Sequence, residues 1–138
     1  MVYEGLLREG LTVCKAIRDR HDGRRRNPYD EFECGSHYAR SMSNYAYLLA
    51  LSGFRYSAHD AVLTLDPKVR QSDFACFFAV DSGWGVVRHR IEGSRPVVSV
   101  HVREGRLKVS KAVVGGLELT PDALVAVPTR PITLRTPD

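Results

Sequence analysis

Four polar side chains recur at i, i+3, i+4 and i+7, the spacing that places residues on one face of a helix: His37, Arg40, Ser41 and Asn44. Two carboxylates, Glu31 and Glu33, precede this stripe by a few residues. We therefore expect a guanidinium, an imidazole, an amide and two carboxylates to converge at the N-terminal end of one helix.

This set of groups has a chemistry suited to ligands rich in hydroxyls. Each sugar hydroxyl both donates and accepts a hydrogen bond, and bonds to charged groups are the stronger ones. The sequence thus favours a sugar pocket, with Arg40, Glu33, Glu31, His37 and Asn44 as candidate substrate-binding residues. A purely structural alternative stays open, in which Arg40 pairs with either glutamate and only fastens a loop to the helix.

Two helices and a long loop must position these residues. Apolar residues at spacings of three and four predict a first helix over residues 2–18, and a second is predicted over residues 37–52, between the cap Ser36 and Gly53. The stretch between them, residues 19–36, has no period and contains the turn signals Asp22-Gly23 and Asn27-Pro28. A loop of that length is usually functional or disordered, and its apolar residues favour a functional one.

Both helices suggest a part of something larger. In the first helix the apolar spacing begins at residue 2, and no N-capping residue precedes it. The second helix is apolar on every side over residues 45–51. Two helices cannot surround such a segment, so we expect missing neighbours: further helices of the same protein or a partner chain.

After Gly53 the pattern changes to short strands. They are predicted at residues 61–65, 74–80, 84–90, 97–103, 107–113 and, more weakly, 124–127. Glu104-Gly105 reads as a two-residue turn that joins residues 98–103 and 107–109 in a hairpin. Four prolines, the last at Pro137, favour a surface course for the final stretch.

The charge pattern argues against nucleic acid. The net charge is +4, but residues 18–33 hold five arginines and five acids, so the excess lies in the strand-rich tail after Val86. No apolar run approaches the roughly 20 residues that cross a bilayer, and no secretory signal is present, which leaves the cytoplasm as the expected compartment. No Cys or His spacing indicates a metal site, and no cofactor is predicted.

A resemblance sharpens these expectations. The string RDRHDGRRRNPYDEFECGSHYARSM at residues 18–42, followed by YAYLLALSGF at residues 45–54, resembles the C-terminal part of glycoside hydrolase family 116. This family contains bacterial β-glucosidases and non-lysosomal glucosylceramidases. The similarity is dense over residues 18–54, looser from Phe74 to Gly85, and nothing specific is seen beyond.

The resemblance implies that residues 1–56 are the last helices of an (α/α)6 toroid. In the better-known members the corresponding helix ends the chain, whereas here the residue pattern predicts a strand-rich antiparallel tail in residues 57–138, so the expected fold class is α+β. It also implies retaining hydrolysis of β-glucosides, in which one carboxylate attacks the anomeric carbon and another protonates the leaving oxygen. In the family both carboxylates lie upstream of the matching region, so this chain is expected to hold no catalytic residue and to be inactive alone. Arg40 resembles the arginine that holds the glucose hydroxyls, and Glu33 or Glu31 the glutamate that shares this role. The expected partners are a β-glucoside or other sugar and the missing N-terminal part of the same enzyme.

A second hypothesis is a non-catalytic module that binds carbohydrate or docks onto a helical partner. The segment Asp81-Ser82-Gly83-Trp84-Gly85 could present Trp84 as a platform for a sugar ring, although a lone Trp beside two glycines is more often a packed turn.

Overall fold

Most of the regular secondary structure in the described residues is β-strand. The computed structural model describes residues 1–20, residue 24 and residues 41–137. The chain divides into two units, Met1–Ala50 and Leu51–Asp138. The described part of the first unit is helical, and the second is built almost entirely of strands.

The helical unit is shorter and less regular than predicted. It contains a 3-10 turn (Val2–Glu4), helix α1 (Leu7–Arg20) and most of helix α2 (Ser41–Ser52). The first helix is interrupted because Gly5 takes a left-handed conformation with φ of 81° and ends the 3-10 turn. Helix α2 is less buried than its apolar sequence predicts, since Leu49 is 45% exposed. Neither helix in the described part has the length and apolar content needed to span a bilayer.

The expected (α/α)6 toroid is wrong, whereas the segment after the second helix is rich in strands, as predicted, and most of their pairings are antiparallel. The described residues form two α-helices and ten strands, so the fold is mainly β and the chain does not make a ring of helices. The resemblance that suggested the toroid covers residues 18–54 only, and such a stretch cannot determine the architecture of the rest.

Ten strands follow the second helix. They are β1 (Arg55–Ser57), β2 (Val62–Leu65), β3 (Asp73–Val80), β4 (Gly83–Glu92), β5 (Arg95–Gly105), β6 (Leu107–Lys108), β7 (Lys111–Val114), β8 (Leu117–Pro121), β9 (Val125–Ala126) and β10 (Ile132–Arg135). Eight of them form one nearly closed sheet in the order β1-β2-β7-β8-β10-β5-β4-β3, while β6 pairs with β9. Among the described strands only β2 and β7 pair in parallel.

The predicted hairpin across Glu104-Gly105 is not formed. Both residues belong to β5, where they lie opposite Trp84 and Gly83 of β4. The following strand β6 leaves this sheet and pairs with β9 instead, with Leu107 opposite Ala126. A turn-like dipeptide therefore lies inside a strand ladder.

The predicted surface course of the C-terminal stretch is also wrong. Strand β10 lies between β8 and β5, and its side chains Ile132 and Leu134 are completely buried. Proline removes only its own backbone N–H and restricts the residue before it. Since Pro131 and Pro137 lie outside the strand on either side, they bound β10 without interrupting it.

One side of the sheet forms the core. Alternate residues of the long strands point inward, and the largest completely buried side chains include Leu63, Leu65, Phe78, Leu119 and Leu134. The residue before β1 also packs onto β3, because the ring of Phe54 stacks on that of Phe78 with centroids 5.7 Å apart. On the same strand, burial raises the pKa of Cys76 to about 11 despite a hydrogen bond with Ser52, so this thiol stays protonated near neutral pH.

A histidine is also buried in this core. His89 of β4 is 4% exposed and lies opposite Phe74 on one side and Val98 on the other. Neither ring nitrogen has a hydrogen-bond partner among the described residues. Burial lowers the pKa of His89 below its ordinary value, although the neighbouring backbone of Gln71 favours the protonated ring.

The position of β10 predicts unequal effects of two Leu→Ala substitutions. We expect Leu134→Ala to lower the free energy of unfolding by about 2–5 kcal/mol, because it leaves a cavity in the core. Leu117→Ala, at a position 53% exposed, should change it by less than about 0.5 kcal/mol. Urea unfolding followed by the fluorescence of the single tryptophan measures both, and equal losses would contradict the central placement of β10.

The burial of His89 predicts a loss of stability in mild acid. Above about pH 7 the imidazole of His89 is neutral in both the folded and the unfolded state. Below the pKa of about 6.5 that it has in the unfolded chain, the unfolded chain binds a proton there more readily than the folded chain does. The free energy of unfolding should then fall by up to about 1.4 kcal/mol per pH unit. Urea titrations between pH 7.5 and roughly 5 test this slope. His89→Leu should flatten it and His101→Gln, at an exposed position, should not; the reverse result would refute the assignment.

Candidate functional site

The predicted sugar-binding residues cannot be placed. Glu31, Glu33, His37 and Arg40 lie outside the described residues. Asn44 lies in α2, but its side chain is outside the described part as well. Their convergence at the start of the second helix remains a prediction.

The structure shows a different site on the strand-rich unit. Strands β3, β4 and β5 form one end of the large sheet, and their outward face carries the exposed side chains. A cleft of about 570 Å³ opens where this face meets the turn between β3 and β4. We call it the Trp84 cleft; its lining includes Phe77, Asp81, Ser82, Trp84 and Glu104.

Two aromatic rings form the apolar part of the Trp84 cleft. Trp84 is 42% exposed and Phe77 47%, and their ring centroids lie 6.0 Å apart at an interplanar angle of 42°. They come from adjacent strands, where Trp84 lies opposite Ala79 and Phe77 opposite Val86, so the two rings are diagonal neighbours on one face. The resulting surface is wide, apolar and open to solvent.

A β-bulge brings a carboxylate to this surface. Trp84 lies opposite Glu104, but the next residue, Gly85, lies opposite Val102, so Arg103 is an extra residue in β5. Without this extra residue, the regular alternation of side chains would place Glu104 on the buried face together with Val100 and Val102. The bulge turns Glu104 outward instead, where its Oε2 accepts a hydrogen bond of 3.2 Å from the indole Nε1–H of Trp84.

Two glycines make this arrangement sterically feasible. A Cβ atom on Gly85 would lie 2.1 Å from the carbonyl oxygen of His101, inside the bulge. Gly105 has φ of 79°, and a Cβ there would lie 2.3 Å from the carbonyl oxygen of Ser82. The same carbonyl accepts a hydrogen bond of 2.9 Å from the backbone N–H of Arg106. The β3–β4 turn is thereby held against the end of β5 and forms one wall of the cleft.

The two ends of the outward face differ in charge. At the end away from the cleft, Arg88 donates two hydrogen bonds of 3.0 Å to Asp73, and Arg90 lies 3.7 Å from the same carboxylate. One carboxylate thus offsets part of the charge of two guanidinium groups. At the cleft end the charged lining residues in the described part of the chain are the carboxylates Asp81 and Glu104.

Part of this site could be identified from the sequence. The interpretation of Trp84 as a packed turn residue is wrong, because its ring is exposed, whereas its alternative use as a platform agrees with that exposure. Phe77 was missed as a surface residue. The alternation in β3 contains the signal, since Phe77 falls in the outward set with Asp73 and Ala75. The bulge that exposes Glu104 leaves no comparable trace in the residue pattern.

The described residues contain no group of three or more His, Cys, Asp or Glu side chains that could hold a metal ion. No protein-family model matches the chain, and no curated protein matches it. The resemblance to glycoside hydrolase family 116 therefore rests on the quoted residues alone.

Proposed function

We propose that the strand-rich unit binds carbohydrate without catalysing a reaction, and that the Trp84 cleft is its binding surface. The observation that carries this proposal is the exposed indole of Trp84. It lies beside the ring of Phe77, and its N–H donates a hydrogen bond to the carboxylate of Glu104. One face of a pyranose ring presents C–H groups that pack on an aromatic ring, while its hydroxyls hydrogen-bond to carboxylates and hydroxyls at the rim.

The shape and rigidity of the cleft support this proposal. A volume of about 570 Å³ falls within the range of ligand sites in proteins, and an open cleft accepts an internal segment of an oligosaccharide. The hydrogen bond from Trp84 fixes both the indole and Glu104 before a ligand arrives. A surface that is ordered in advance loses less conformational entropy on binding.

A second proposal concerns the protein of which this unit is a part. The motif of residues 18–54 favours the C-terminal part of a retaining glycoside hydrolase similar to family 116, acting on a β-glucoside in the cytoplasm. In this proposal Arg40, Glu33 and Glu31 hold sugar hydroxyls, with His37 and Asn44 beside them. The reactive carboxylates belong to an N-terminal part of the same enzyme. The proposal does not require this chain to form a toroid of helices.

The two proposals are compatible. A glycoside hydrolase gains effective substrate concentration when a linked unit holds the same polymer near its active site. The strand-rich unit would then retain the carbohydrate while the residues near Arg40 contact the sugar that is cleaved.

The first proposal predicts that binding depends on one aromatic side chain. A soluble β-1,4-glucan oligosaccharide should shift backbone amide signals of β3, β4 and β5 in NMR spectra, and Trp84→Ala should weaken its affinity by at least about tenfold, about 1.4 kcal/mol. Isothermal titration calorimetry provides the affinities. Tyr3→Ala, which removes an exposed aromatic ring of the helical unit, is the control and should bind as the parent does. Equal binding by Trp84→Ala and the parent would refute the proposal.

The second proposal predicts a division of labour along the chain. The 138-residue chain alone should not hydrolyse an aryl β-glucoside, whereas a protein that also includes the in-frame coding sequence upstream of Met1 should do so. In that longer protein Arg40→Ala should raise KM by about 10- to 100-fold through loss of charged hydrogen bonds. Arg103→Ala is the control. Hydrolysis at enzyme-like rates by the isolated chain would refute the assignment of the missing carboxylates.

A further inference from the structure

The charged side chains that line the Trp84 cleft in the described part of the chain are opposite in sign to the net charge of the chain. The whole chain carries a net charge of +4, yet the charged residues lining the cleft in the described part are Asp81 and Glu104. Arg103 and Arg106 neighbour Glu104 in sequence, but neither is among the lining residues and neither forms an ion pair in the described part of the chain. Among the described residues, the charged side chains that line the cleft are therefore both negative.

Both carboxylates keep capacity to accept further hydrogen bonds. Glu104 uses Oε2 for the indole N–H of Trp84, which leaves Oε1 and the remaining lone pair of Oε2 for a ligand. Asp81 lies in the β3–β4 turn and forms no ion pair with any described residue. Elsewhere on the same face, Arg88 and Arg90 share the single carboxylate of Asp73, which offsets part of their charge.

An aromatic face beside uncompensated carboxylates attracts a cation. The π-system of Trp attracts a cation more strongly than those of the other aromatic side chains. A protonated amine can in addition donate charge-assisted hydrogen bonds to Glu104 and Asp81. An anionic sugar meets repulsion from the same two groups.

We propose that the Trp84 cleft selects pyranosides that bear a protonated amino group, such as β-linked glucosamine oligomers, over neutral and anionic sugars. This inference rests on the proposed carbohydrate-binding function and specifies its ligand class. The sugar ring packs on Trp84 and Phe77, and the ammonium group lies between the carboxylates of Glu104 and Asp81.

The test compares three oligosaccharides of equal length and β-1,4 linkage, made of glucosamine, N-acetylglucosamine or glucose. Titrations of the full chain by calorimetry and NMR are run at a pH where the amine is protonated. The glucosamine oligomer should bind at least about tenfold tighter than the glucose oligomer, and added salt should reduce this advantage because exposed charges are screened.

Variants separate charge recognition from sugar binding. The double variant Asp81→Asn, Glu104→Gln should bind the glucosamine and glucose oligomers within about threefold of each other, while Trp84→Ala should weaken both. Glu118→Gln, which removes an exposed carboxylate on β8, is the matched control and should keep the preference. All substituted side chains are exposed, and urea unfolding verifies that each variant remains folded.

The outcomes distinguish the two proposals. If the glucose oligomer binds through Trp84 and the glucosamine oligomer binds no tighter, the amino-sugar inference is wrong and carbohydrate binding stands. Equal affinity for the acetylated and free amines would also overturn the inference, since acetylation removes the charge. If none of the three oligomers binds, both proposals fail.

Discussion

The outward face of the strand-rich unit depends on one steric constraint, the absence of a side chain at Gly85. The extra residue Arg103 in β5 draws the carbonyl oxygen of His101 to within 2.1 Å of where a Cβ atom of Gly85 would lie. A larger residue would push the two strands apart at this point. Glu104 would lose its position opposite Trp84, and with it the hydrogen bond that orders the indole. The cleft is thus a consequence of backbone packing as much as of side-chain chemistry.

The ion pairs on this face contribute little to stability. The pairs of Arg88 and Arg90 with Asp73 are exposed, and such pairs contribute about 0–1 kcal/mol. Asp73 also offsets part of the positive charge at the end of this face away from the cleft. Although the chain carries a net charge of +4, the charged residues that line the cleft in the described part of the chain are both carboxylates.

Local patterns predicted much of the strand content but little of its arrangement. Alternation located the inward residues of β5, because side-chain direction follows the residue period. Strand pairing depends on distant contacts, and for that reason the hairpin across Glu104-Gly105 and the surface course of β10 were wrong. The toroid failed for a related reason: a motif confined to residues 18–54 contains no information about the strands that follow. Of the candidate cleft, Trp84 could be anticipated, whereas the bulge that exposes Glu104 could not.

The central place of β10 has a consequence for the order in which the molecule acquires its shape during synthesis. Strands β3, β4 and β5 are joined by short connections, so they can associate soon after they leave the ribosome. The strands on either side of β10, β5 and β8, nevertheless each keep an open edge until residues 132–135 have emerged. A nascent chain paused before this point would expose both edges to other polypeptides, so the emergence of residues 132–135 protects the sheet from aggregation.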